Sequence, residues 1–303
     1  MRFPGTRWVV AAALVLVALG AGAFVLSRRH TEAPAPAAPA TALPVAPPSS
    51  GPKHAVIGVS VEGRAIDAYT YGSGKMRLLF VGGVHGGYEW NSVLLSYTLM
   101  DYLDAHPEFI PQNLTVTVVP SANPDGVYKA IGKEGRFTLA DVPTGTSLAS
   151  ARFNAHGVDL NRNFDCKWQP EGTWQGKTVS AGSKPFSEPE AAAICDLVLQ
   201  YHPNAAIFFH SQSNAVYASE CEAGILPETL DIMNAYAHAS TYPAVKSFSS
   251  YAVTGDAEGW LASIGIPAIT VELQTHDTIE WERNLSGITA LFDYYGQKAK
   301  LSP

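Results

Sequence analysis

One stretch constrains this chain more than any other: Gly82-Gly83-Val84-His85-Gly86-Gly87-Tyr88-Glu89-Trp90-Asn91. It follows the apolar run Arg77-Leu78-Leu79-Phe80-Val81, which predicts a buried strand entering a glycine-rich turn. A helical pattern then runs from about Glu89 to Tyr102. A histidine and a carboxylate therefore leave a strand end together, where open α/β sheets place their ligands. An imidazole and a carboxylate within one turn can share a divalent cation, zinc with one further protein ligand fitting best. The same residues also fit a turn whose glycines serve backbone geometry, with His85 and Glu89 solvated.

What precedes this region differs in kind. Trp8 to Leu26 carries no charge and is long enough to cross the hydrocarbon of a bilayer. Residues 1–30 are expected to be an uncleaved signal anchor. Cleavage as a signal peptide is the alternative, because Ala21-Gly22-Ala23 supplies the small residues a signal peptidase needs. Either places the remainder outside the cytoplasm, membrane-anchored in the first case and secreted in the second. Residues 31–53 are Ala/Pro-rich, which makes a semi-extended spacer. The folded domain is expected to fill 54–303. The whole chain is 47% hydrophobic, enough for a large core, and its net charge of -7 argues against a nucleic-acid partner.

Cys166 and Cys221 lie in polar loop sequence, whereas Cys195 lies on the apolar face of a helical segment, Glu188 to Leu199. In an exported domain Cys166 and Cys221 are expected to pair and leave Cys195 free. Three free thiols is the competing state, since sequence does not fix connectivity.

Along the domain, Ala55–Ser60 and Ala65–Tyr71 predict a hairpin turning at Glu62-Gly63-Arg64. Leu114–Pro120 is a β-branched strand that empties into Asn123-Pro124-Asp125-Gly126, read as a turn. Residues 132–150 read as loop. Ala151 to Asp165 holds two arginines and three asparagines, suited to gripping carboxylates or to a solvated surface. Ser187 fits a helix N-cap with Glu190 three residues on, a capping box. The strands Ala205–Phe209 and Pro267–Val271 end in His210 and Glu272, and a carboxylate there is costly to bury unless paired or in use. A helix over residues 280–298 closes the chain.

With these residues assembled, the chain resembles the zinc metallocarboxypeptidases, the carboxypeptidase A-like family, and within it the bacterial murein-peptide branch. The features that carry the resemblance run in the family's order from the His85 turn through Asn123-Pro124-Asp125-Gly126 and Gly157-Val158-Asp159-Leu160-Asn161-Arg162-Asn163-Phe164. Ser187-Glu188-Pro189-Glu190, His210-Ser211, Tyr251 ahead of Thr254-Gly255-Asp256, and Thr270-Val271-Glu272-Leu273 follow. Each is weak alone and together they are specific. The resemblance implies a single α/β domain with a mixed central β-sheet and helices on both faces. It implies one Zn²⁺ per chain, held by His85, Glu89 and His210, with Asp159 orienting the first histidine.

It further implies Glu272 as general base, Arg152 for the oxyanion, Asn161 and Arg162 for the substrate's terminal carboxylate, and Tyr251 as a cap on the terminal residue. Counting from Tyr251, Glu258 falls where the family lines its specificity pocket. An acid there suits lysine, arginine or the amino end of diaminopimelate, unless Glu258 is a solvated loop acid. One departure is that the family places two residues between the first histidine and the glutamate, and here there are three, Gly86-Gly87-Tyr88. The expected enzyme is a monomeric exopeptidase acting on peptides or muropeptides. An aspartoacylase-like zinc deacylase and an inactive tethered binding module are the alternatives.

Overall fold

The computed structural model describes residues 51–144 and 148–301. The expected N-terminal anchor and the spacer up to residue 50 lie outside the described residues. In chain order the strands are β1 (Lys53–Val59), β2 (Ala65–Gly72), β3 (Met76–Val81), β4 (Leu114–Val119), β5 (Glu171–Trp174), β6 (Lys177–Ser180), β7 (Ala205–Ser211), β8 (Ala215–Ala218), β9 (Ala244–Val245) and β10 (Ala268–Leu273). The α-helices are α1 (Trp90–Ala105), α2 (Pro124–Ile131), α3 (Pro189–Tyr201), α4 (Pro227–Ser240), α5 (Ala257–Ser263) and α6 (Trp281–Leu301). None of these helices is long and apolar enough to cross a membrane.

The unbroken apolar runs become the middle of the sheet. Every residue of β4 and β7 is buried, as are Leu78 to Val81 of β3. Strands covered on both faces need no polar alternation. The order is β1-β2-β4-β3-β7-β10-β8-β9; β4, β3, β7 and β10 run parallel, β1, β2 and β4 pair antiparallel in turn, and β8 is antiparallel to β10 and parallel to β9. The sheet is therefore mixed, as the resemblance implied. Leu78, Phe80, Ile207, Phe209, Ile269 and Val271 point to the face packed by α1, α4 and α6. Their alternates Leu79, Val81, Ala206, Phe208 and Ala268 point to the face packed by α3 and α5.

The chain leaves β3 for β4 on one side, and β7 docks on the other side of β3. That reversal of strand order opens a crevice at the carboxyl ends of β3 and β7. His85 lies just beyond β3 and His210 is the penultimate residue of β7.

Several local expectations are corrected. Asn123-Pro124-Asp125-Gly126 is not a free turn but the start of α2, with Asn123 Oδ1 accepting from Gly126 N at 2.9 Å. Asx and Pro serve turns and helix starts alike. Ser187 is not an N-cap: Glu188 holds that position and Ser187 Oγ is taken by Asn163 and by the Glu188 carboxylate. Glu190 reaches out of the helix to accept from Val61 N and Asn154 Nδ2 rather than closing a capping box. Strand β1 begins at Lys53. Cys166 and Cys221 are disulfide-bonded and Cys195 is free, as expected.

Candidate active site

The His85 turn is not a continuous α-helix. Gly86–Glu89 forms a single 3-10 turn, and α1 starts only at Trp90. Gly86 sits at φ +49°, and a Cβ there would lie 2.6 Å from the Ala151 carbonyl oxygen. Only glycine fits this left-handed, crowded position without strain. The tightened turn brings the two side chains of this four-residue spacing together, with His85 Nδ1 2.7 Å from Glu89 Oε1.

From β7, His210 Nδ1 lies 2.9 Å from Glu89 Oε2 and 3.1 Å from His85 Nδ1. All three side chains are buried, and their ligand atoms lie within 4.8 Å of one another. Two imidazole nitrogens and one carboxylate oxygen form a donor set that suits zinc and leaves a coordination position for a non-protein ligand. Calcium or magnesium would call for more oxygens. The residues present therefore fit a single zinc.

The outer nitrogens of both rings face acids. His85 Nε2 is 3.5 Å from Asp159 Oδ1, and His210 Nε2 is 3.3 Å from Glu258 Oε1. Asp159 also accepts from Arg152 Nε at 2.8 Å and from Asn161 N at 3.2 Å. Burial opposes its ionisation, but Arg152 and His85 outweigh burial and hold it well below the usual carboxylate range. Glu89 behaves alike: burial works against its charge, and His85 and His210 more than compensate. For His210, burial favours the neutral ring, yet Glu89 and Glu258 raise it well above the ordinary imidazole value.

Glu272 behaves differently. Its backbone is in register with His210 across the parallel β10–β7 pair, so both side chains leave the same face of the sheet. Glu272 Oε2 is buried and has no protein partner. Burial and the neighbouring Glu89 charge push its carboxyl up to about 7.

A cleft of about 660 Å³ opens over these groups and takes in Arg152, Asn161, Arg162, Tyr251, Glu258 and Glu272 with the three candidate ligands. Arg162 donates to the Asn161 and Thr173 carbonyls, which occupies two of its five donors; its buried Nε has no partner. Its guanidinium lies 5.8 Å from the centre of the Tyr251 ring. Asn161 Oδ1 accepts from Ala257 N, so its NH₂ end is free of that bond. Arg152 NH1 stands 3.8 Å from Glu89 Oε1. Every site residue expected from sequence is thus gathered here, with Asp159 buried just behind. Glu258 is not a solvated loop acid: it is buried on α5 and accepts from Thr270 Oγ1 at 2.9 Å.

Sequence left two parts of the cleft without an assigned role: Trp174 fitted either a cleft wall or packing of the loop closed by Cys166, and Asp256 stood only in a motif. The β5–β6 hairpin brings Trp174 against Tyr88 and under the Arg152 guanidinium, and Gln175 donates to the Tyr88 hydroxyl. A Gln-Gly turn at residues 175–176, both at positive φ, was its signal. The second is Asp256, the N-cap of α5, which burial and the nearby Glu258 charge push up to about 6.

Fold and triad together define the class: an α/β protein with one three-ligand zinc site at a topological switch point. The chain belongs to the zinc carboxypeptidase family, whose model matches residues 52–281. It is 28% identical over 238 residues to a gamma-D-glutamyl-L-diamino acid endopeptidase of Lysinibacillus sphaericus, covering 72% of this chain and 59% of that relative. It is 25% identical over 243 residues to carboxypeptidase B of Astacus astacus, covering 73% and 78%. The chain therefore spans less than two thirds of the first relative's length. Among solved structures, the murein-tripeptide amidase of Escherichia coli O157 superposes with a TM-score of 0.58 at 24% identity, over 80% of this chain and 92% of that one. At that identity the likeness speaks for the fold alone.

Proposed function

We propose that this chain is a zinc carboxypeptidase that hydrolyses the amide bond before a C-terminal residue. One observation carries the reading: Glu272, half-buried with its buried Oε2 unpartnered, stands in register with one imidazole of a buried His–Glu–His group. A zinc ion held by His85, Glu89 and His210 supplies a Lewis acid that polarises the scissile carbonyl and acidifies water. Glu272 takes the proton of the attacking water as the new C–O bond forms. It then delivers that proton to the departing amine as the C–N bond breaks. Arg152 faces the negative charge that develops on the carbonyl oxygen. The unpartnered Arg162 Nε and the Asn161 amide receive the terminal carboxylate, and Tyr251 closes over the terminal side chain. Asp159 keeps His85 in the tautomer whose Nδ1 is free to bind metal.

The substrates proposed are peptides or muropeptides ending in a basic or diaminopimelate-type residue. The half-buried Asp256 and the buried Glu258 support this, as do relatives named for diamino-acid and murein-peptide bonds. An extracytoplasmic site of action, tethered through Trp8 to Leu26, is consistent with the Cys166–Cys221 disulfide.

The test is a zinc assay of the purified chain and a digest of N-acylated peptides with free or amidated carboxyl termini. Release of the terminal residue from the free acids alone is the expected result. Turnover of N-acyl amino acids but not peptides would replace the exopeptidase with a deacylase, and bound zinc without turnover would leave a binding module.

A further inference from the structure

We infer that Glu258 is a positioning residue of the metal centre, holding His210 from behind as Asp159 holds His85. The inference rests on the zinc reading of His85, Glu89 and His210. The two rings are disposed alike: each turns Nδ1 toward one oxygen of Glu89, at 2.7 Å and 2.9 Å, and each turns Nε2 toward an acid, at 3.5 Å and 3.3 Å. These are ion-pair distances and neither Nε2 makes a hydrogen bond in this geometry; a ring that binds metal through Nδ1 carries its proton on Nε2, and a carboxylate beside that N–H orients the ring.

Glu258 is itself held for this task. Its side chain is only 4% exposed. The Thr270 hydroxyl, on β10 and on the same face as Glu272 two residues on, donates to the oxygen that faces His210. Helix α5 packs over β10, and Glu258 descends from its first turn onto the ring. A buried carboxylate is costly without a charge or hydrogen-bond partner, and the His210 ring edge, with Nε2 3.3 Å away, is what this one faces beside the Thr270 hydroxyl. The position at which the family resemblance expects an acid for substrate selection is thus occupied by an acid already turned to a candidate ligand.

The experiment measures zinc affinity on the full chain. Metal is removed, and Zn²⁺ is titrated back against a competing chelator for wild type, Glu258→Gln, Thr270→Val and Asp159→Asn. Glu258→Gln keeps the volume and removes the charge; it should weaken zinc about 10-fold or more, in the range that loss of such a partner costs. Thr270→Val leaves the charge but frees the carboxylate, and a smaller loss is expected. It also carries the test if the glutamine variant does not fold. Cobalt-loaded Glu258→Gln should show an altered visible spectrum, because the His210 ligand is then less firmly oriented. Zinc affinities and cobalt spectra equal to wild type in both variants would overturn the inference. So would an unchanged affinity with a lost preference for lysine-ended peptides, which would make Glu258 a selector of substrate alone. Wild type failing to bind zinc would bring down the metal-centre reading itself, a result separable from either.

Discussion

At the scale of single residues the centre is an arrangement of acids with opposed tasks. Asp159 and Glu89 stay charged because Arg152, His85 and His210 surround them, whereas Glu272 is left beside Glu89 without a partner. Replacing Glu272 with Gln should leave zinc content unchanged and lower kcat/KM by about 10²–10⁴-fold, the usual worth of a general base; peptide-hydrolysis kinetics on zinc-loaded protein check this. The same carboxyl makes a stability prediction for the metal-free protein. Its folded value, about 7, lies above the ordinary 4.5, so the folded state binds the extra proton between those values. The stability it contributes is full below pH 4.5 and is lost as pH rises through 7. Thermal melts of metal-free wild type should therefore fall more steeply than those of Glu272→Gln across that window. Zinc, adding positive charge, should remove the difference. His85, His210 and Glu272 were legible in sequence because each sits at the end of an apolar strand, where a polar side chain has to be explained. Glu258 was expected at the specificity pocket, but its closeness to His210 was not legible, since that follows from how α5 lies over β10, and no local pattern encodes it.

At the scale of elements the glycine-rich turn does the positioning. The additional residue between His85 and Glu89 does not separate them, because the backbone tightens into a 3-10 turn entered through Gly86 at positive φ. Gly86→Ala would strain that φ and drive a methyl group to 2.6 Å from the Ala151 carbonyl and 2.8 Å from Gly126. A loss of roughly 1–3 kcal/mol in denaturant unfolding is expected, from strain of this kind, together with weaker zinc binding from the displaced turn. The core strands were readable from their unbroken apolar runs. The failures came where one residue type serves two structures. Asn-Pro-Asp-Gly was read as a turn and is a helix start; Ser187 with Glu190 was read as a capping box and is a tertiary hydrogen-bond cluster. Strands β8 and β9 were invisible because four and two residues carry too little period to register.

At the scale of the whole molecule, the Cys166–Cys221 bond ties the loop after Arg162 to the end of β8, closing a sequence separation of 55 residues. A loop of that length implies roughly 4 kcal/mol from chain entropy, and removing native disulfides commonly costs about 2–5 kcal/mol. The bond also bears on the cleft. The Cys166 carbonyl accepts from Gly255 N at 2.7 Å and Phe164 N donates to the Gly255 carbonyl at 2.9 Å. The loop between Tyr251 and Asp256 is thus laced to the segment that follows the 3-10 turn carrying Asn161 and Arg162. A Cys166→Ser, Cys221→Ser double variant should therefore unfold at lower denaturant, and it should also hold substrate less well. The expected split is a raised KM for peptides with a nearly unchanged kcat, because His85, Glu89, His210 and Glu272 are carried by the β3 turn, β7 and β10, which this bond does not join. Equal loss in kcat, at matched zinc occupancy, would mean that the disulfide supports the reacting centre as well as the substrate-binding wall.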